Sequence, residues 1–166
     1  MAKLVWQEAR DQANQILQVP DWVLDSGLPN LDAIYSDLGI KSEIRELPDG
    51  MSGLIIKKSK SEDARVFLSS SDTRPRQRFT KAHELGHYVE RVIVSKDPEF
   101  SFEDTRTQQY DLHEFFADEF AGSLLMPEKL ILQDEASDMS VFAMSEKYGV
   151  SVPAVQKRLD RLVKHR

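Results

Sequence analysis

His83 and His87 stand four residues apart in His83-Glu84-Leu85-Gly86-His87. On a helix, residues at that spacing lie one above the other, so both imidazoles can converge on one metal ion. Glu84, next to the first histidine, can then serve as general base toward a water held at that ion. The chain contains no cysteine. That excludes disulfides, thiolate zinc sites and a cysteine nucleophile, and leaves His, Asp, Glu or water as ligands.

Catalytic zinc takes three protein ligands and keeps one position open. The third ligand must lie outside the motif, and the chain offers few choices. Glu90 is too close along the same helix to turn back to the ion, and His165 sits at the C-terminus. His113 and Glu114 are adjacent on a second helical segment and point about 100° apart. The neighbours favour Glu114. It shares a face with Ala117, Asp118 and Ala121 by i, i+3 and i+4 spacing, and the small alanines let two helices approach. Asp118, one turn on, is placed to accept the N–H of a ligating imidazole and fix its tautomer. His113 then reads as a surface histidine. Two histidines and a glutamate with an open position form the hydrolytic zinc pattern, although the same donors accept Mn2+, Fe2+ or Co2+.

Helices and strands must bring these residues together. Leu4, Val5, Ala9, Ala13, Ile16 and Leu17 recur at helical spacing until Pro20. Asn30 can cap a short helix that Gly39 stops. Ser42–Leu47, Leu54–Lys57 and Ala64–Ser69 read as three short strands, with Pro48-Asp49-Gly50 as a turn. A long helix is expected from Pro75 or Thr80 to Val94, then a loop over Lys96–Thr107, then a helix over Tyr110–Leu125. Pro127 can open a helix reaching about Glu135, and two more follow at roughly 140–148 and 152–164. Gly86 lies inside the long helix at a cost of about 1 kcal/mol relative to alanine, which predicts close approach of another element there. The order predicts an α+β fold: a small three-stranded antiparallel sheet packed on the His83–His87 helix, with a helical C-terminal part. The expected division is a metal-binding domain over 1–138 and helix-turn-helix-like helices over 139–166.

Net charge is −6, unevenly spread. Ser140–Arg166 holds six basic and two acidic residues, a net of +4, which leaves −10 for the rest. An acidic body argues against general nucleic-acid binding, and the basic tail reads first as a solvated helix face. That tail can pack on the body, dock a protein substrate or touch DNA, in descending order. No apolar run approaches the roughly 20 residues of a membrane span. The N-terminus turns polar at once, so the expected location is the cytoplasm, with no membrane partner.

Two segments carry a family resemblance. Arg76-Gln77-Arg78-Phe79-Thr80-Lys81-Ala82-His83-Glu84-Leu85-Gly86-His87 resembles the R-x-R-F-T-x-A-H-E-L-G-H segment of the ImmA/IrrE metallo-endopeptidases. Glu114-Phe115-Phe116-Ala117-Asp118-Glu119-Phe120-Ala121, ending in Leu124-Leu125-Met126-Pro127, resembles that family's second motif. Asp118 stands where many members have Asn, and Gly122-Ser123 where Glu often appears. The resemblance implies a compact zincin-like fold. It implies a zinc ion (or Mn2+ or another divalent metal) on His83, His87 and Glu114, with Glu84 as general base. It further implies cleavage of a helix-turn-helix (XRE-type) repressor or antitoxin, in a mobile-element, stress-response or toxin–antitoxin setting. A second oxyanion donor is expected among Tyr88, Arg78, Tyr110 and His113, with core packing the commoner role for Tyr88. Two other functions compete: a binding module that sequesters such a partner without cutting it, and a DNA-binding regulator using the basic tail. An intact Glu84 favours hydrolysis.

Overall fold

The computed structural model describes residues 2–96, 100–105 and 111–165. The elements run α1 (Val5–Ile16), α2 (Leu31–Leu38), β1 (Lys41–Arg45), β2 (Met51–Lys57), β3 (Arg65–Ser69), α3 (Arg74–Tyr88), β4 (Phe100–Thr105), α4 (Leu112–Leu125), α5 (Glu128–Ala136), α6 (Val141–Tyr148) and α7 (Val152–Lys164). The fold is α+β and fits a minimal zincin-like unit, with α3 lying against β2 and β3 and packed alongside α4.

Helix ends follow local chemistry. Asn30 accepts the Ala33 N–H and Gly39, at φ +69°, stops α2. Thr73 caps α3 through the Arg76 N–H, with Pro75 in its first turn. Asp111 caps α4 through the Glu114 N–H at 2.9 Å, and Ser140 and Ser151 do the same for α6 and α7. Each side chain satisfies one of the amide donors that a helix start leaves without a carbonyl. Pro127 precedes α5 as its cap rather than occupying its first position.

The sheet corrects the expected one in two respects. It has four strands, in the order β1-β3-β2-β4, and it is mixed. β3 pairs parallel with β1, from Lys41↔Arg65 to Arg45↔Ser69. It pairs antiparallel with β2, from Gly53↔Leu68 to Ile56↔Arg65. The turn at Pro48–Gly50 reverses the chain but does not join neighbours, because β3 slots between β1 and β2. Burial accounts for that order. β3 carries the buried Val66, Phe67 and Leu68, whereas β1 is exposed along its length and suits an edge. The fourth strand, Phe100–Thr105, pairs antiparallel with β2 where a loop was expected. Its backbone bonds come from a partner some fifty residues away, which no local pattern reveals.

The long helix also differs from expectation. It stays α-helical only to Tyr88, and Val89–Val94 widens into a π-helical turn, with Ser95 N–H donating to the Glu90 carbonyl at 2.8 Å. The core is continuous from α1 to α7: Ala13, Ile34, Ile55, Leu85, Phe120, Leu124, Met144, Tyr148, Val155 and Leu162 belong to one buried cluster. No helix among the described residues is long and apolar enough to cross a membrane.

Candidate metal centre

Gly86 sets the distance between the two helices of the site. A Cβ there would lie 2.9 Å from the Ala117 Cα and 3.1 Å from Phe120. The bare backbone lets α3 and α4 touch, and the close approach expected at this glycine is to α4 rather than to the sheet. Phe116, Ala117, Phe120, Ala121 and Leu124 form the apolar face of α4 that drives the contact. One turn before Ala117, Glu114 therefore faces His83 and His87.

The three side chains form a triangle, with one donor atom from each within 4.8 Å of the others. His83 Nε2 lies 3.1 Å from His87 Nε2, and 3.2 Å from one Glu114 oxygen. The other Glu114 oxygen is 3.2 Å from His87 Nε2. Tetrahedral ligands bonded at roughly 2.0–2.1 Å sit about 3.3 Å from one another, a spacing these contacts approach, with the two imidazoles meeting different Glu114 oxygens. Two N–H groups would repel at 3.1 Å, whereas two lone pairs aimed at one cation would not. All three residues are buried, as is Glu84. Among the described residues this is the group of His, Asp and Glu that could hold a metal ion. The donors fit a small divalent cation that accepts nitrogen and oxygen.

Asp118, one turn after Glu114, lies 2.9 Å from His83 Nδ1. A proton on Nδ1 leaves the Nε2 lone pair facing the triangle. The other Asp118 oxygen lies 3.4 Å from Lys157 Nζ on α7. The electrostatics follow from this packing. Burial pushes the His83 pKa down, but the hydrogen bonds to Asp118 and Glu114 outweigh it and hold the net value well above the usual 6.5. Burial lowers His87 to about 4, against a smaller opposing effect of Glu114. Burial alone would raise Glu114, yet its bonds to the two imidazoles bring it down to about 2. Glu114 is thus an ionised carboxylate and His87 a neutral imidazole, the states in which these two can ligate, whereas His83 gives up its Nε2 proton when a cation takes that position.

The other sequence-predicted residues are dispersed. Arg78 donates to the Tyr148 carbonyl at 3.3 Å and leans on Gly149, away from the triangle. Tyr88 is buried in the apolar core. His113 meets Glu90 of the π-helical turn at 2.9 Å. Tyr110 lies outside the described residues. Two residues of interest escaped sequence reading. Gly53 of β2 faces α3 so closely that a Cβ would collide with Thr80 and come within 2.9 Å of a Glu84 oxygen. A lone glycine inside a strand pattern is the signal for such contact. Lys157 has no local signal, because it meets Asp118 across 39 residues.

An α+β unit with paired helices carrying two histidines, a glutamate and an adjacent glutamate has the architecture of a metallopeptidase-type domain. The family described as IrrE N-terminal-like domain, Peptidase M78, matches residues 36–160, and the chain belongs to that family. No curated protein matches the chain closely. A solved structure titled "Mycobacterium tuberculosis transcriptional regulator" superposes with a TM-score of 0.56 at 17% identity, over 93% of this chain and 46% of that one. The likeness is one of fold, and this chain spans less than half the length of that protein.

Proposed function

We propose that this chain is a divalent-metal-dependent endopeptidase acting on a protein partner, with a helix-turn-helix repressor or antitoxin as the substrate class. Family membership supports the peptidase class. The observation that carries the reading is the buried triangle of His83, His87 and Glu114 with Glu84 immediately beside it. His83, His87 and Glu114 would hold the ion, zinc being the metal such donors favour, and Asp118 would fix the His83 ring. Bound there, a divalent metal supplies Lewis-acid activation of a water and of the scissile carbonyl.

The chain's own groups do the proton work. Glu84 is fully buried and close enough to His83 to help hold that imidazole's proton. It takes the proton of the attacking water and delivers it to the departing amine. Gly53 leaves its carboxylate uncrowded on the sheet side. The repressor as substrate is supported by the motif resemblance at residues 76–88 and 114–127.

The test uses the purified chain, Zn2+ and the repressor encoded beside it. The wild-type chain should cut the repressor at a defined bond, and chelator should stop it. Glu84→Gln should retain metal while losing cleavage by about 10^2-fold or more, the scale of a lost general base. A Glu84→Gln protein that cuts as fast as wild type would overturn the mechanism. Stable, metal-independent capture of an intact repressor would favour sequestration instead.

A further inference from the structure

β1 leaves one edge of the sheet open. It is the last strand in the order β1-β3-β2-β4, and among the described residues no strand pairs with its outer side. Its inner bonds are set by register. The Lys41 N–H donates to the Ala64 carbonyl at 2.9 Å, and the Arg45 carbonyl accepts from the Ser70 N–H at 2.9 Å. Alternate residues of a strand turn their backbone groups to opposite sides, so Ser42 and Ile44 present theirs at the open edge.

Side chains alternate as well. Lys41, Glu43 and Arg45 share the face of Phe67, which is the partner of Glu43 and lies 4.5 Å from the Arg45 guanidinium. Ser42 and Ile44 share the face of Val66 and Leu68, toward α3. The charges that commonly guard a sheet edge thus stand on one face only. On the other face Ile44 is 57% exposed.

Helix α3 supplies charge beside that second face. Arg74, Arg78 and Lys81 follow at i, i+4 and i+7 and form one stripe. Arg74 and His83 are about two and a half turns apart, so the stripe looks away from the metal ligands. Ser42, Ile44 and Leu68 line one wall of an open groove of about 550 Å3, and the stripe lines the other. Lys81 is held by Asp32 at 2.6 Å, and Glu43, which also borders the groove, by Arg45 at 2.9 Å. Arg74 is exposed and, like Arg78, forms no ion pair among the described residues. Arg78 gives its Nε to the Tyr148 carbonyl at 3.3 Å. Burial lowers its pKa, with Asp32 opposing. A carboxylate entering the groove would therefore meet two guanidinium groups that no ion pair holds.

We propose that the β1 edge and the Arg74–Lys81 stripe form a docking surface for an extended acidic segment of a protein partner. The segment adds as a further strand beside β1 and exchanges backbone hydrogen bonds with Ser42 and Ile44. Every second side chain then faces the groove, where carboxylates meet Arg74 and Arg78. Charge also selects against a second copy of this chain. Antiparallel pairing of two β1 edges would bring Ser42, Ile44 and another basic stripe to that face, and no carboxylate. The surface is independent of the metal centre and of the peptidase reading.

The probe is the synthetic peptide acetyl-Thr-Glu-Val-Glu-Val-Glu-Thr-amide, titrated into the full metal-free chain and followed by amide NMR shifts. Expected are saturable shifts centred on Ser42, Ile44, Arg74 and Arg78, with a Kd below about 1 mM. Affinity should fall several-fold as salt rises from about 0.05 to 0.3 M. The peptide with Lys for each Glu should not bind. Two further versions, one N-methylated at Glu and one at Val and Thr, should differ by about tenfold or more, because one set of amides faces β1 and the other faces solvent. Ile44→Pro removes an outward N–H and leaves the pairing with β3 intact, so it should abolish binding. Arg74→Glu should weaken binding by about tenfold, and it keeps the test decisive if Ile44→Pro fails to fold. Absence of saturation at about 5 mM, equal binding of the Lys peptide, equal binding of the two N-methylated versions, or shifts mapping elsewhere would each overturn the proposal. So would self-association of the chain through this edge, seen by sedimentation, which would assign the edge to a second copy.

Discussion

Asp118 joins two parts of the molecule in one side chain. One oxygen meets the His83 N–H at 2.9 Å and the other faces Lys157. The first contact is the one that matters for metal, because it fixes which imidazole nitrogen carries the lone pair. Asp118→Ala should therefore lower metal affinity by about 10- to 100-fold, measured by competition with a chromophoric chelator. Asp118→Asn keeps an acceptor for the N–H and should lose much less. Equal losses in the two variants would mean that the carboxylate charge, not the ring orientation, is what counts. The convergence of His83, His87 and Glu114 was legible in the sequence because helical spacing alone stacks the first two and the flanking Ala117 and Ala121 mark the face of the third. The Asp118–Lys157 contact and the approach of Gly53 were not. They depend on where α7 and β2 come to lie, and neither residue type announces such a role.

At the scale of elements, the α3–α4 pair is the scaffold of the site, and two glycines within it behave oppositely. Gly86→Ala drives a methyl group into the Ala117 backbone. The helices must part, at a cost of about 1–3 kcal/mol, and metal affinity should fall as His83 and His87 draw away from Glu114. In Gly122→Ala the added methyl meets Arg158 no closer than 3.7 Å. That change should stabilise by about 0.5–1 kcal/mol through helix propensity. Urea denaturation checks both, and a Gly86→Ala protein as stable as wild type would refute the close-contact account. The end of the chain is tied down by charge. Asp134 of α5 accepts from Lys147 Nζ at 2.7 Å and from the Tyr148 hydroxyl at 2.5 Å, both on α6. Burial raises its pKa, but these partners outweigh burial and hold it below the usual 3.8. Its stabilisation is thus present in full above that value and is lost as pH falls through the lower folded value. Acid titration of Asp134→Asn should show a shallower loss of stability below about pH 4 than wild type. Some helix starts and stops were legible, since Asn30 and Gly39 act on their own turn, while the end of α3 and the place of Pro127 were not. The strand at Phe100–Thr105 and the parallel pairing of β1 were not, because each depends on a distant partner.

Across the whole molecule, one carboxylate gathers the first helix, the second motif and the last helix. Glu119 of α4 is 1% exposed and binds Arg10 of α1 and both Arg158 and Arg161 of α7. Because it directly follows Asp118, the residue beside the metal centre and the residue that locks α1 and α7 share one turn of helix. Glu119→Gln leaves Arg10 and Arg158 buried without the carboxylate they bind. Removing one partner of a buried ion cluster costs about 3–5 kcal/mol, far more than the intact cluster contributes relative to apolar packing. The expected result is a large drop in urea midpoint, with early loss of amide protection in α7 and α1. Replacing the centre as a unit separates lost pairing from stranded charge. Glu119→Met with Arg158→Met should recover a substantial part of the loss, because the deeply buried Arg158 charge is removed together with the carboxylate that opposed it. If the double variant is no more stable than Glu119→Gln, the loss lies in packing or in the remaining arginines, and the stranded Arg158 charge is not its cause. In either variant α7 carries Lys157 away from Asp118, so metal affinity should change little, with any electrostatic effect a slight rise as a neighbouring positive charge leaves. A loss of metal as large as that of Asp118→Ala would show instead that α7 is needed to hold α4 against α3.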